Sequence, residues 1–156
     1  AGHEVRVSRW IAAPPAAVWH VLTDLEAAAN TLSGVTRIEV LTEGPYAVGT
    51  RWRETRRLMG KEGTEEMWVT AVEPERRTVV EAESGGTHYA TTFALSPSGG
   101  GTRLDVTFGG RTTSPSRVQR VLWTLFGPLG LRVTRKALQQ DVRDIATAAR
   151  ERPDSA

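Results

Sequence analysis

Thr64-Glu65-Glu66-Met67-Trp68-Val69-Thr70-Ala71-Val72-Glu73-Pro74-Glu75-Arg76-Arg77-Thr78-Val79-Val80-Glu81-Ala82-Glu83 is the stretch on which the reading of the fold turns. Thr64 to Val72 and Arg77 to Glu83 are short runs rich in β-branched residues, and Glu73-Pro74-Glu75-Arg76 between them is a turn. Two strands joined this closely can pair only antiparallel. Working backward, Thr50 to Leu58 is another strand, closed by Met59-Gly60-Lys61-Glu62-Gly63, and Val35 to Glu43 precedes it, closed by Glu43-Gly44-Pro45. Working forward, Ser84-Gly85-Gly86 turns the chain into His88 to Leu95. That strand ends at Ser96-Pro97-Ser98-Gly99-Gly100-Gly101, and Thr102 to Phe108 follows. Regular short strands with Gly and Pro turns indicate an antiparallel meander.

The flanks are different. Glu4 to Ile11 alternates as a strand and stops at Ala13-Pro14-Pro15. Proline suits the first turn of a helix, and Pro15 to Leu25 carries Val18, Trp19, Val21, Leu22 and Leu25 at helical spacing. Ala27 to Leu32 reads as a second short helix ended by Ser33-Gly34. At the far end, Thr113-Ser114-Pro115-Ser116 offers a helix start for Arg117 to Arg150. Val118, Val121, Leu122, Leu125 and Leu129 share one face of its first part, and Leu131, Leu138, Val142, Ile145 and Ala149 one face of its second. Gly127-Pro128-Leu129-Gly130 interrupts the pattern, because a proline removes a backbone donor. Either a gate beside a cavity or a fixed bend following a curved sheet fits that break.

Seven strands with two substantial helices cannot cover both faces of a sheet. The sheet must curl, and the long amphipathic helix must fill its concave side. The class is therefore α+β: a curved antiparallel sheet of about seven strands around a long C-terminal helix, with one or two short helices after the first strand. A single domain is expected over 1–156, with an ordered core of about 4–150.

Composition narrows the function classes. The chain has no cysteine, which excludes a disulfide framework, a thiol nucleophile and thiolate-held metal. The formal net charge is +2, too small to imply nucleic acid. The high isoelectric point, about 9.5, reflects cations that are nearly all arginine. No run approaches the length of a membrane span, and no stable membrane insertion is expected. A cytoplasmic location is expected. His3, His20 and His88 are scattered without ligand spacing, so neither metal nor another cofactor is expected. The basic end, Arg111, Arg117, Arg120, Arg132, Arg135 and Lys136, reads as a solvated helix face.

Four local features resemble a known family. They are Ile11-Ala12-Ala13-Pro14-Pro15-Ala16-Ala17-Val18-Trp19 at the strand-to-helix passage, Val48-Gly49-Thr50-Arg51-Trp52, Val69-Thr70-Ala71-Val72-Glu73-Pro74-Glu75-Arg76-Arg77, and Gly100-Gly101-Thr102-Arg103-Leu104. Together with the order of elements and the Gly-Pro-Leu-Gly of the last helix, they resemble the START-like, or SRPBCC, superfamily, and within it the polyketide cyclase/dehydrase-like group. The resemblance implies the helix-grip fold, with a cavity between sheet and last helix. It implies no catalytic motif, because that superfamily has no universal one.

Strand alternation proposes the lining. Leu104, Val106 and Phe108 share one face of the last strand; Tyr89, Thr91, Phe93 and Leu95 share one face of the strand before it. In the strand Thr64 to Val72, Met67, Val69 and Ala71 oppose Trp68, Thr70 and Val72, and period alone does not choose between them. Trp52 and Leu58 carry Glu54 and Arg56 on their own face. If Trp52 points inward, so do those two charges, which would need each other or a ligand; the alternative is a rim position in water. Trp19 and Trp52 fit either aromatic cavity walls or plain core. The candidate ligand-binding residues are Trp52, Met67, Val69, Tyr89, Thr91, Phe93, Val106, Phe108, Leu122, Leu125, Phe126 and Leu129. The candidate catalytic residues are Glu54 as base, with Arg56 and Tyr89 as donors.

Three functions are expected to compete. One is binding of a small hydrophobic molecule, such as a lipid, polyketide or aromatic metabolite. The second is a polyketide cyclase/dehydratase working by acid/base chemistry. The third is a protein-interaction domain resembling the Hsp90-activator branch, which would want an exposed apolar patch. Monomer and homodimer are equally compatible with the sequence.

Overall fold

The computed structural model describes residues 3–58, 60–84, 86–112 and 128–152. The elements are β1 (His3–Ile11), α1 (Pro15–Thr23), a 3-10 turn (Leu25–Ala27), α2 (Ala28–Thr31), β2 (Val35–Val40), β3 (Arg51–Leu58), β4 (Lys61–Glu73), β5 (Arg77–Ser84), β6 (Thr87–Ser98), β7 (Gly101–Thr112) and α3 (Pro128–Arg150). The strands form one antiparallel sheet in the order β1-β7-β6-β5-β4-β3-β2. Six consecutive strands meander, and the first strand closes on the last. This is the helix-grip arrangement expected. Among the described residues no helix is long and apolar enough to cross a membrane.

Several strands differ in length from the sequence reading: β7 runs on to Thr112 where the reading ended at Phe108, and local reasons account for β4, β6 and β2. Leu58 pairs with Lys61, so Lys61 to Gly63 belong to β4, and Gly60 just before them takes φ 77°, a conformation that favours glycine. β6 continues through Pro97, which pairs with Thr102 of β7, whereas β5 reaches only Ala94. Pro97 therefore removes no ladder bond on the β5 side. β2 stops at Val40, short of Glu43.

A bulge between Val69 and Ala71 resolves the ambiguous faces of β4. Met67 and Val69 face inward before it, and Val72 packs on the same inner cluster after it. One extra residue exchanges the two faces of a strand. Trp68 stays outside, with the Arg51 guanidinium 4.9 Å above its ring.

The core is dense at one end. Val142, Ile145, Ala146 and Ala149 of α3 pack on Val7, Ile11, Leu95, Leu104 and Val106 of the sheet and on Ala17 and Val18 of α1. Trp19 joins this cluster from its edge as packing. Thr102 locks the corner, its hydroxyl donating to the Ala13 carbonyl at 2.8 Å. Gly101 is required beside it, since a Cβ there would lie 2.3 Å from the Ile11 carbonyl oxygen. A second, smaller cluster, Trp52, Val69 and Val80, sits toward the other end.

Candidate functional site

Between the two clusters lies a cavity of about 430 Å³. The sheet supplies Trp52, Glu54, Arg56 and Leu58 from β3, Glu65 and Met67 from β4, and Val80 from β5. β6 adds Tyr89, Thr91 and Phe93, and β7 adds Val106 and Phe108. Opposite them stand Val21, Leu22, Leu25 and Ala28 from the short helices, and Thr134, Leu138, Asp141 and Val142 from α3. The Tyr89 and Phe108 rings stack with centroids 5.5 Å apart.

Most of the expected lining residues are thus brought together. Val69 is the exception on the sheet: it is buried with Trp52 and Val80 as packing. Leu129 is 67% exposed and stands outside the cavity, because its side chain leaves the helix on the solvent side of the Leu138–Val142–Ile145 stripe. Leu122, Leu125 and Phe126, like the helix start at Arg117 and the Gly127 half of the helix break, lie outside the described residues. His88 is on the convex face, as alternation against Tyr89 requires. It pairs with Glu81 and meets Trp68 edge-on. Among the described residues no three metal-ligating side chains converge.

Glu54 and Arg56 point inward with Trp52, at 13% and 22% side-chain exposure, so the rim alternative falls. What makes this tolerable is mutual pairing. Arg56 Nη2 and Nε donate to Glu54 Oε2 at 3.3 and 3.4 Å, Arg56 Nη1 donates to Asp141 Oδ1 at 3.0 Å, and Trp52 Nε1 donates to Glu54 Oε1 at 3.5 Å. Burial pulls the Arg56 guanidinium down, but Asp141 and Glu54 outweigh it and hold it above its ordinary value. Asp141 is pushed up by burial; Arg56 opposes that, while Glu54 and Asp144 add to it. Gly34 lets the guanidinium approach, a Cβ there meeting Nη1 at 3.0 Å. Next to it Ser33 donates both its backbone N–H and its hydroxyl to Asp144 Oδ2 at 2.9 Å, tying the α2–β2 junction to α3.

Asp141 and Glu65 are cavity-lining charged side chains that sequence reasoning missed. Asp141 interrupts the Leu138–Val142–Ile145 stripe of α3, and a carboxylate in an apolar stripe was the available signal. Glu65 shares the face of Met67, so the alternation that carried Glu54 inward with Trp52 would have carried Glu65 too. In the β3–β4 ladder Glu65 sits directly opposite Glu54. Burial pushes its carboxyl up, Glu54 pushes it further, and Arg56 partly offsets both. Tyr89 is likewise raised, first by burial, with Thr87 opposing and Glu65 reinforcing.

A raised carboxyl has a stability consequence of definite sign. The folded chain holds the Glu65 proton at a pH where the unfolded chain has released it, so stability falls as pH rises through the folded titration. Glu65→Gln is therefore expected to stabilise the free protein at neutral pH by about 0.5–2 kcal/mol, the usual scale of one stabilising change. Urea midpoints should show that gain at pH 7 and lose it below pH 4. A gain of the same size at both pH values would mean that Glu65 ionises normally.

A model of the polyketide cyclase/dehydrase and lipid transport family matches residues 2–151. Among solved structures, the protein TTHA0849 from Thermus thermophilus is similar at 26% identity, over 94% of this chain and 96% of that one, with a TM-score of 0.73. The Zhui aromatase/cyclase from Streptomyces sp. R1128 is 19% identical over 97% and 96%, with a TM-score of 0.79. Norcoclaurine synthase from Thalictrum flavum is 18% identical over 97% and 96%, with a TM-score of 0.74. The last two likenesses establish the fold alone. No curated protein matches the chain.

Proposed function

The chain belongs to the polyketide cyclase/dehydrase and lipid transport family, and from that premise we propose that it binds one small, largely apolar molecule between the sheet and α3. The observation that carries this is the cavity of about 430 Å³. It is walled by Trp52, Met67, Thr91, Phe93, Val106 and the stacked Tyr89–Phe108 pair. Apolar walls supply affinity and a few fixed polar groups supply orientation. Here those polar groups are Glu54, Arg56, Asp141, Glu65 and Tyr89. An interior site also speaks against the protein-interaction reading, which wants its apolar surface outside.

A neutral fluorescent naphthylamine, N-phenyl-1-naphthylamine, tests the proposal. Saturable one-site binding with a blue-shifted emission is expected, weakened at least tenfold by Thr91→Trp, which fills the cavity from β6. A linear, unsaturable signal, or binding indifferent to Thr91→Trp in a variant with native circular dichroism, sinks the reading.

Cyclase/dehydratase chemistry is the second reading, and the Glu65–Tyr89 neighbourhood favours it. A base must take the proton beside a ketone while a donor meets the enolate oxygen. Glu54 already accepts from Trp52 and Arg56. Glu65 accepts from no side chain among the described residues, which makes it the better placed base, with Tyr89 as the donor.

A further inference from the structure

The charges that face the cavity do not balance. Glu54 and Arg56 of β3, Glu65 of β4 and Asp141 of α3 turn into it, three carboxyls against one guanidinium. At the β3–β4 end Lys61 and Glu62 also line the space; Glu62 is paired with Arg57 at 3.2 Å, so with Lys61 counted three carboxyls still face only two cations. Tyr89 of β6 is the remaining titratable group beside Glu65. Arg56 divides itself between Glu54 and Asp141, so Glu65 is left facing a like charge across the ladder. The same space is bounded by the aromatic groups of Trp52, Tyr89 and Phe108, whose faces attract cations. An anionic head would meet a wall of carboxyls; a neutral head would leave the imbalance as it is; a cation would relieve it.

Resting on the binding function proposed above, we infer that the cavity selects an apolar ligand carrying a protonated amine, with the ammonium placed between Glu65 and Glu54 and the apolar body against the β6–β7 wall. Binding of such a ligand draws the proton from Glu65, so affinity rises with pH across the range where Glu65 titrates. A neutral ligand of the same shape binds without that dependence.

Three naphthalene probes of nearly equal shape separate the possibilities: 2-naphthylmethylamine, 2-naphthylmethanol and 2-naphthoic acid. By calorimetry at pH 7 the amine is expected to bind about tenfold or more tighter than the alcohol, a difference of about 1.4 kcal/mol, and the acid weakest. The amine's advantage should shrink from pH 8 to pH 5. It should also shrink in Glu65→Gln, which retains the shape of the side chain. The wild-type ranking and its pH dependence decide the matter even if that variant folds poorly. If the alcohol matches the amine, or the acid binds tightest, the charge selection is wrong while the cavity remains a binding site. If none of the three binds, the binding function itself fails, and this inference with it.

Discussion

Replacing Arg56 with methionine is expected to cost the fold about 3–5 kcal/mol at neutral pH, the range for breaking a buried ion pair by removing one partner. The guanidinium is the only cation between Glu54 and Asp141 among the described residues, and all three side chains are at least three-quarters buried. Methionine replaces the aliphatic stem of the side chain but leaves two carboxylates facing each other in an apolar surrounding. The pH dependence follows from the raised Asp141 carboxyl, which rises further without Arg56. A group raised in the folded state supports the fold below its unfolded titration and weakens it as pH rises through the folded one. The deficit should therefore be largest at pH 8 and shrink toward pH 4–5. Urea midpoints of Arg56→Met at both pH values measure it. The double variant Arg56→Met/Asp141→Leu should recover more than half of the loss, since one buried charge has been exchanged for apolar packing. A single-variant cost below about 1 kcal/mol at pH 8 would mean that the three groups do not form one buried network.

The second large effect separates the two ends of the core. Leu104→Ala should cost about 3–5 kcal/mol, because Leu104 is fully buried among Ile11, Leu95 and Val106 and close packing there leaves a void that cannot collapse. Met67→Ala removes a similar volume, yet it should cost about half as much. Its side chain already borders the cavity, so the atoms removed leave open space that existed beforehand. Denaturant unfolding of the pair gives the comparison directly. Equal losses would mean that the space beside Met67 is packed shut in solution. The same division suits the proposed function: the Leu104 end holds the sheet to α3, and the Met67 end keeps room for a ligand.

Much of this is readable from local pattern. The turn Glu73–Arg76 and the glycine turns place the strands, and the stripe Leu138, Val142, Ile145 places the buried face of the last helix. Alternation alone puts Trp52, Glu54 and Arg56 on one face, because side chains on a strand change sides at every residue. It fails within β4, where the bulge at Val69–Ala71 shifts the phase by one. Leu129 is misplaced by the stripe read over 118–129, whereas in α3, which begins at Pro128, it lies on the side opposite Leu138 and Ile145.

Periodicity belongs to the chain: it dictates which residues travel together, and it makes the Glu54–Arg56 pair inseparable from Trp52 whatever packs against the strand. Whether that shared face is wet or buried is not a local property. It is settled where α3 crosses the concave sheet and brings Asp141 to Arg56, 85 residues away in sequence, supplying the second partner that lets a guanidinium stay out of water. The same crossing leaves Glu65 opposite Glu54, with Arg56 committed to Glu54 and Asp141. Which charges in the cavity are paired, and which are not, follows from long-range packing, because the cost of burying a charge depends on every group that surrounds it and not on its neighbours along the strand.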